Sequence, residues 1–219
     1  MIIGISGRAR SGKDSIAAIM IKKFNFTRVS FADSLKEISA EAFNIPLNHF
    51  HDTDKKDVAF ESPLQVNIDH MQSLVMLLKG AGCAPSQAQI DNLIDDGISM
   101  KFVSPRDLLQ KVGTNLCRNH FGDSVWLDIF KNKIKKTEGH CIVTDVRFIN
   151  ERQAIKDLEG CNFLILRPSL SPIDGNSHES ELLGCSSEKI DVTIFNDSTI
   201  HSLQYDLELW WQAKSKTLR

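Results

Sequence analysis

The stretch MIIGISGRARSGKDS, residues 1–15, decides the fold. Its first five residues are a short apolar run of the kind a buried parallel strand needs. Gly7-Arg8-Ala9-Arg10-Ser11-Gly12-Lys13 follows, a G-x-x-x-x-G-K phosphate loop, and Ile16, Ala17, Met20 and Phe24 then recur at helical spacing. Glycines let successive backbone N–H groups converge on phosphate oxygens. The helix N-terminus adds its positive end, and Lys13 reaches the β- and γ-phosphates of a nucleoside triphosphate. A glycine-rich turn without a ligand is the rival reading, and the placement between strand and helix disfavours it. Asp14 stands where the usual motif has a magnesium-binding Ser or Thr, and Ser15 comes one residue later, so both are candidate metal ligands. No N-K-x-D guanine signature occurs.

Beyond the loop, residues 27–31 read as a second strand. Ser34 and Glu37, at capping-box spacing, predict a helix start, with Pro46 marking its end. Residues 48–63 are polar and charged, Met71, Leu74, Val75 and Leu78 mark a helix, and 80–104 holds Gly, Pro and acidic residues without clear periodicity. Ser104-Pro105 with Asp107 predicts another helix, reaching Arg118. Trp126, Ile129 and Phe130 lie on a further helix, CIVTD at 141–145 reads as a strand, and Asn150 caps a helix that Gly160 ends. NFLIL at 162–166 and DVTIF at 191–195 are strands, 168–177 is a loop rich in Ser, Pro and Gly, and 199–213 is an amphipathic helix. Strands separated by helices argue for an α/β fold, a parallel sheet covered on both faces.

In the helix from Ser104, Arg106, Gln110, Thr114 and Arg118 fall at i, i+4, i+8 and i+12, opposite Leu108, Leu109, Val112 and Leu116. The plain reading is a solvated stripe facing away from a core stripe. Gly113 in mid-helix costs about 1 kcal/mol relative to Ala, which points to close approach by a ligand. Two arginines flanking a Gly-Thr pair suit bidentate binding of a phosphate. Asp145-Val146-Arg147, with Glu151 one turn on, stands at the carboxyl end of a strand, where α/β sheets bind ligands. A carboxylate there serves magnesium or sugar hydroxyls, or else Asp145 merely ends the strand and pairs with Arg147. Trp126 either stacks on a base or packs in the core. Lys131, Lys133, Lys135 and Lys136 read as a solvated helix end.

Composition bounds the partners. Of 219 residues 42% are hydrophobic and 25% charged, so the chain can bury a core, expected as one domain. A net charge of −2 excludes the polybasic field that nucleic-acid polymers and membrane surfaces attract, leaving a small ligand. Five scattered cysteines without a metal signature suit a reducing cytosol. No apolar run approaches the roughly 20 residues of a membrane span and no leader is evident, so a cytoplasmic protein is expected.

Along most of its length the chain resembles the deoxynucleoside monophosphate kinases of tailed bacteriophages. The matching segments are SGRARSGKDS at 6–15, FADSLKE at 31–37, SPRDLLQKVGTNLCR at 104–118 with Trp126 after it, TDVRFINE at 144–151, LRP at 166–168, HESE at 178–181 and DVTIFND at 191–197. The phosphate loop is generic, whereas R-x-x-L-Q-x-x-G-T, D-x-R and H-x-S-E in that order are more specific.

The resemblance implies a three-layer P-loop kinase fold with an inserted helical acceptor-binding region at about 35–103. A short lid at about 168–181, containing His178 and Glu181, is also implied. ATP would contact Arg10, Ser11, Gly12, Lys13, Asp14 and Ser15, with Mg²⁺ at Ser15 and Asp14. The acceptor dNMP would contact Leu35, Lys36, Arg106, Gly113, Thr114, Arg118, Trp126, Asp145, Arg147 and Glu151. Lys13, Arg106 and Arg147 would be the catalytic set, converting dNMP and ATP to dNDP and ADP. Asn196-Asp197 resembles an adenine-side loop of related small-molecule kinases. Where relatives can carry an arginine in 48–65, this chain has Lys55 and Lys56 as its nearest cations. Relatives further imply a homodimer, and the host cytoplasm for a phage-encoded chain. Two other readings stay open: another small-molecule P-loop kinase, such as one acting on dephospho-coenzyme A, and a nucleotide-binding regulatory module without an acceptor.

Overall fold

A computed structural model describes residues 1–52, 54–169 and 186–216. The strands are β1 (Ile2–Gly7), β2 (Phe26–Val29), β3 (Leu64–Gln65), β4 (Lys101–Phe102), β5 (His140–Val143), β6 (Cys161–Leu166) and β7 (Val192–Phe195). The first six helices are α1 (Lys13–Phe24), α2 (Asp33–Ala42), α3 (Asn48–His51), α4 (Ile68–Gly80), α5 (Gln87–Ile98) and α6 (Pro105–Gln110). α6 runs on as a π-helix (Lys111–Arg118) and then α7 (Asn119–Phe121), followed by α8 (Val125–Lys136), α9 (Ile149–Asp157) and α10 (Ile200–Ser215). Two compact units divide the chain: Met1–Ser30 with Thr137–Arg219, and Phe31–Lys136.

The first unit is built on a wholly parallel sheet of order β2-β5-β1-β6-β7. Successive side chains of the central strand point to opposite faces. Ile3 and Ile5, both fully buried, join Ile16 and Met20 of α1 and Leu203 and Leu207 of α10 on one face. Between them Gly4 faces α9, where a Cβ would stand 3.1 Å from Ile155 Cγ1. Helices on both faces make the expected three-layer α/β architecture. Trp211 closes the α10 side against Phe24 and Phe26, with ring centroids 5.3 Å apart in each case.

The second unit has its own core. Met71, Leu74 and Leu78 of α4, Leu93 of α5, and Leu108, Val112 and Leu116 of the helix that starts at Pro105 are all fully buried within it. Each such side chain contributes about 1.5–3 kcal/mol by leaving water. Two expectations need correcting here. Residues 87–98 fold as α5 rather than as irregular chain, its start fixed by a reciprocal Ser86–Gln89 capping box with Ile90 and Leu93 turned inward. α2 begins at Asp33 with Ala32 at its cap, so Ser34 lies buried in the first turn and caps nothing. Glu37, freed from the expected box, instead accepts two bonds from Lys133 Nζ at 2.8 Å.

Candidate active site

Because every strand of the large sheet runs the same way, the turns after β1, β5, β6 and β7 all leave its carboxyl edge. The phosphate loop follows β1. Gly7 and Gly12 take φ values of +143° and +105°, and Arg10 is left-handed at +63°. A Cβ on Gly12 would lie 2.3 Å from Asn196 Nδ2, so only glycine fits there. Asn196, just after β7, donates that amide to Ser11 O at 2.9 Å and so ties the loop to the sheet edge. Gly12 occupies the cap of α1 with no side chain accepting from the first turn, whereas α4, α5 and α6 are capped by Asn67, Ser86 and Ser104. The uncapped N–H groups and positive end of α1 suit an anion.

Lys13 Nζ donates to Gly7 O at 2.7 Å and Arg8 O at 2.6 Å, which holds the ammonium over the loop. The Ser11 hydroxyl is buried and finds no hydrogen-bond partner among the described residues, as a group meant for a ligand oxygen would be. Asp14 points away from the loop, bonding Arg28 at 3.0 Å on the surface. Ser15 is half-buried in the same first turn. No cluster of three metal-ligating side chains occurs among the described residues.

On the neighbouring strand end, Asp145 accepts the Ser30 hydroxyl and Arg147 is exposed. Glu151 serves the backbone: its Oε2 accepts from Arg147 N at 2.7 Å and Phe148 N at 3.0 Å, capping α9. Phe148 holds the cap position. Asn150, expected there, sits inside the first turn with its Oδ1 on Glu151 N. Burial raises the Glu151 carboxyl above its ordinary value, helped by the nearby Asp145 charge and opposed by the two N–H bonds.

In the second unit, the helix from Ser104 keeps Arg106, Gln110, Thr114 and Arg118 exposed, opposite buried Leu108, Val112 and Leu116. Only its first turn and a half is α-helical; Lys111–Arg118 is π-helical. Four residues overshoot an α-turn by about 40°, whereas at about 4.4 residues per π-turn they fall short by about 30°. The change of winding therefore brings the four side chains back towards one line, where a continuous α-helix would fan them out. Gly113 is buried: a Cβ would meet Leu35 Cδ2 at 3.0 Å, and its carbonyl accepts Trp126 Nε1–H at 2.9 Å. Leu35, Gly113 and Trp126 are thus packed together, which gives this mid-helix glycine a packing reason. Lys36 is half-buried on α2. His178, Glu181 and most of the expected lid lie outside the described residues.

An uncapped phosphate loop on a parallel sheet fits many nucleotide enzymes, so the whole chain must choose among them. A profile of the deoxynucleotide monophosphate kinase family matches residues 1–207. The chain belongs to that family. Similar proteins include the deoxynucleoside-5′-monophosphate kinase of Escherichia phage T5, 28% identical over 180 residues that cover 72% of each chain. The deoxynucleotide monophosphate kinase of Escherichia phage RB69 is 23% identical over 241 residues, 94% of this chain and 98% of its own. A protein of Acanthamoeba polyphaga mimivirus is 27% identical over 213 residues, 91% of this chain and 90% of its own. As a member of the deoxynucleotide monophosphate kinase family, the chain is a kinase. One further side chain reaches its loop: Arg167, just beyond β6, donates from Nη1 to Arg10 O at 3.4 Å. The signal for it was an arginine directly after an apolar strand, at the edge where ligands bind.

Proposed function

We propose that this chain transfers the γ-phosphoryl group of ATP to the 5′-phosphate of deoxynucleoside monophosphates, giving ADP and the diphosphate. Lys13 carries this reading: its ammonium is held over a glycine-cornered loop at the start of α1, in a chain matched almost throughout by the family profile. The backbone N–H groups of the loop, Lys13 and the Ser11 hydroxyl bind the β- and γ-phosphates, with Gly12 allowing their close approach. Arg10 and Arg167 add charge at the rim. Mg²⁺, when bound, neutralises phosphate oxygens; it retains water and phosphate ligands, so the Ser15 hydroxyl suits it without a carboxylate cluster, and Asp14 is engaged with Arg28.

Arg106, Thr114 and Arg118, with Lys36, take the acceptor phosphate, and Arg147 stabilises the transferring group. Leu35 and Trp126, packed on Gly113, shape the apolar wall. Asp145 is the carboxylate for sugar hydroxyls, and Glu151 holds the Arg147 backbone in place. No general base is needed because the acceptor phosphate is already anionic, and in-line transfer depends on positioning and charge neutralisation. The partners are nucleotides, and the compartment is the host cytoplasm.

Coupled ADP release with each dNMP, each NMP and dephospho-coenzyme A tests the proposal. Release that requires a dNMP is expected. Release with dephospho-coenzyme A alone, or without any acceptor, overturns it.

A further inference from the structure

The Arg106 guanidinium is gripped from one side. Nε and Nη2 both donate to the Asp57 carboxylate, the Nη2 bond at 2.9 Å. Asp57 is carried on a turn bonded to the helix start through backbone on either side of it. Arg106 N donates to Lys56 O at 2.9 Å, and Phe60 N donates to Val103 O at 2.9 Å. Within the turn, Lys56 N donates to Asp52 O and Val58 N to Lys55 O. A short side chain on backbone anchored in this way has little freedom to leave.

Both partners are well exposed, with side-chain exposures of 49% and 54%, and exposed ion pairs add little to stability. The effect of the pair is instead on Arg106 itself. A guanidinium carries five N–H donors. The carboxylate takes Nε–H and one N–H of Nη2, and the other edge, Nη1 with the second N–H of Nη2, faces away from Asp57. That edge is the fork geometry a phosphate accepts bidentately. The Arg106 hydrogen bond, with the Arg106 and Lys56 charges, keeps the Asp57 carboxyl below its usual range.

We propose that Asp57 is a positioning residue of the acceptor site: it fixes the Arg106 side chain so that the remaining guanidinium edge is presented to the phosphate of the deoxynucleoside monophosphate. This rests on Arg106 being an acceptor-phosphate ligand. A free arginine loses its rotamer freedom when it binds; one already held by a carboxylate has lost it beforehand, and the ligand binds more tightly for that reason.

Steady-state kinetics on Asp57→Asn, Arg106→Met and the double variant provide the test. Asp57→Asn is expected to raise the dNMP KM by about three- to tenfold, with kcat and the ATP KM nearly unchanged and the melting temperature retained. Asp57→Glu should recover part of the loss. In the Arg106→Met background, Asp57→Asn should add nothing, because its only route to the substrate is gone. An unchanged KM in Asp57→Asn overturns the inference, as does a lowered one, which would make Asp57 a competitor for Arg106. A loss that persists undiminished in the Arg106→Met background also overturns it, by showing a structural effect. If Arg106→Met itself leaves the dNMP KM unchanged, the acceptor reading fails first and takes this inference with it.

Discussion

At the Gly12 position, backbone and neighbour agree on one residue. With φ at +105° and Asn196 Nδ2 2.3 Å from any Cβ, Gly12→Ala must both strain the loop and push Asn196 off Ser11. A cost of about 1–3 kcal/mol is expected. At about 2–4 °C per kcal/mol for a chain of this size, thermal melting should show a drop of several degrees, along with a raised ATP KM. Lys13→Ala should lower turnover by about a hundredfold or more, the scale of removing one donor to developing charge. Circular dichroism and melting temperature should stay near the parent values, because Lys13 is half-buried at the loop and belongs to neither hydrophobic core. These residues were legible because the loop is a local motif whose meaning lies in adjacent positions. The pairing of Asp14 with Arg28 was not legible, since Arg28 comes from the next strand. The capping contact of Glu151 was not legible, because in sequence a carboxylate that reaches back to two N–H groups resembles one that binds a ligand.

Among elements, the helix from Pro105 to Phe121 diverges most from its sequence reading. The spacing of Arg106, Gln110, Thr114 and Arg118 placed them on one exposed face, as they are, but the π winding over Lys111–Arg118 has no sign in that spacing, and buried side chains of α4, α5 and α8 pack around it. Part of that packing is the buried bond from the Trp126 indole to Gly113 O. Trp126→Phe removes the pyrrole half of the indole with its N–H donor, so Gly113 O loses this buried bond and the packing beside it loses volume. A loss of about 1–3 kcal/mol in chemical denaturation is expected, larger than for an exposed aromatic change. In α5 the helical period is masked for another reason: acidic Asp91, Asp95 and Asp96 surround a buried stripe of Ile90, Leu93 and Gly97. The Ser86–Gln89 pair was the available sign.

For the molecule as a whole, two cores supply two internal reporters. Cys117 is fully buried in the second unit, and Cys161 lies in the sheet of the first. Burial pushes the Cys161 thiol up to about 11 and raises Cys117 as well. At pH 8 only about one Cys161 in a thousand is then thiolate. Iodoacetamide should therefore leave both peptides unmodified in the native protein and label them on unfolding, as read by mass spectrometry; ready labelling at low denaturant would refute the burial. The linkage has a definite sign. An unfolded Cys161 ionises near its ordinary 9.0 while the folded one holds its proton to about 11, so its contribution to stability is present below pH 9 and is lost between pH 9 and 11. Denaturant midpoints across that range should fall, and Cys161→Ser should flatten the fall.

The path of the chain between β2 and β5 has a wider consequence. These strands are direct neighbours, Val29 beside Val143, yet the connection between them carries the whole of Phe31–Lys136 with its own core. A parallel crossover requires only a dozen or so residues, so the sheet sets no demand on what the rest of this excursion contains. A change of length or sequence within that excursion leaves β2, β5 and the phosphate loop with the same partners in the sheet. Under the proposed function, acceptor preference can then be altered by substitutions there with the phosphate loop untouched.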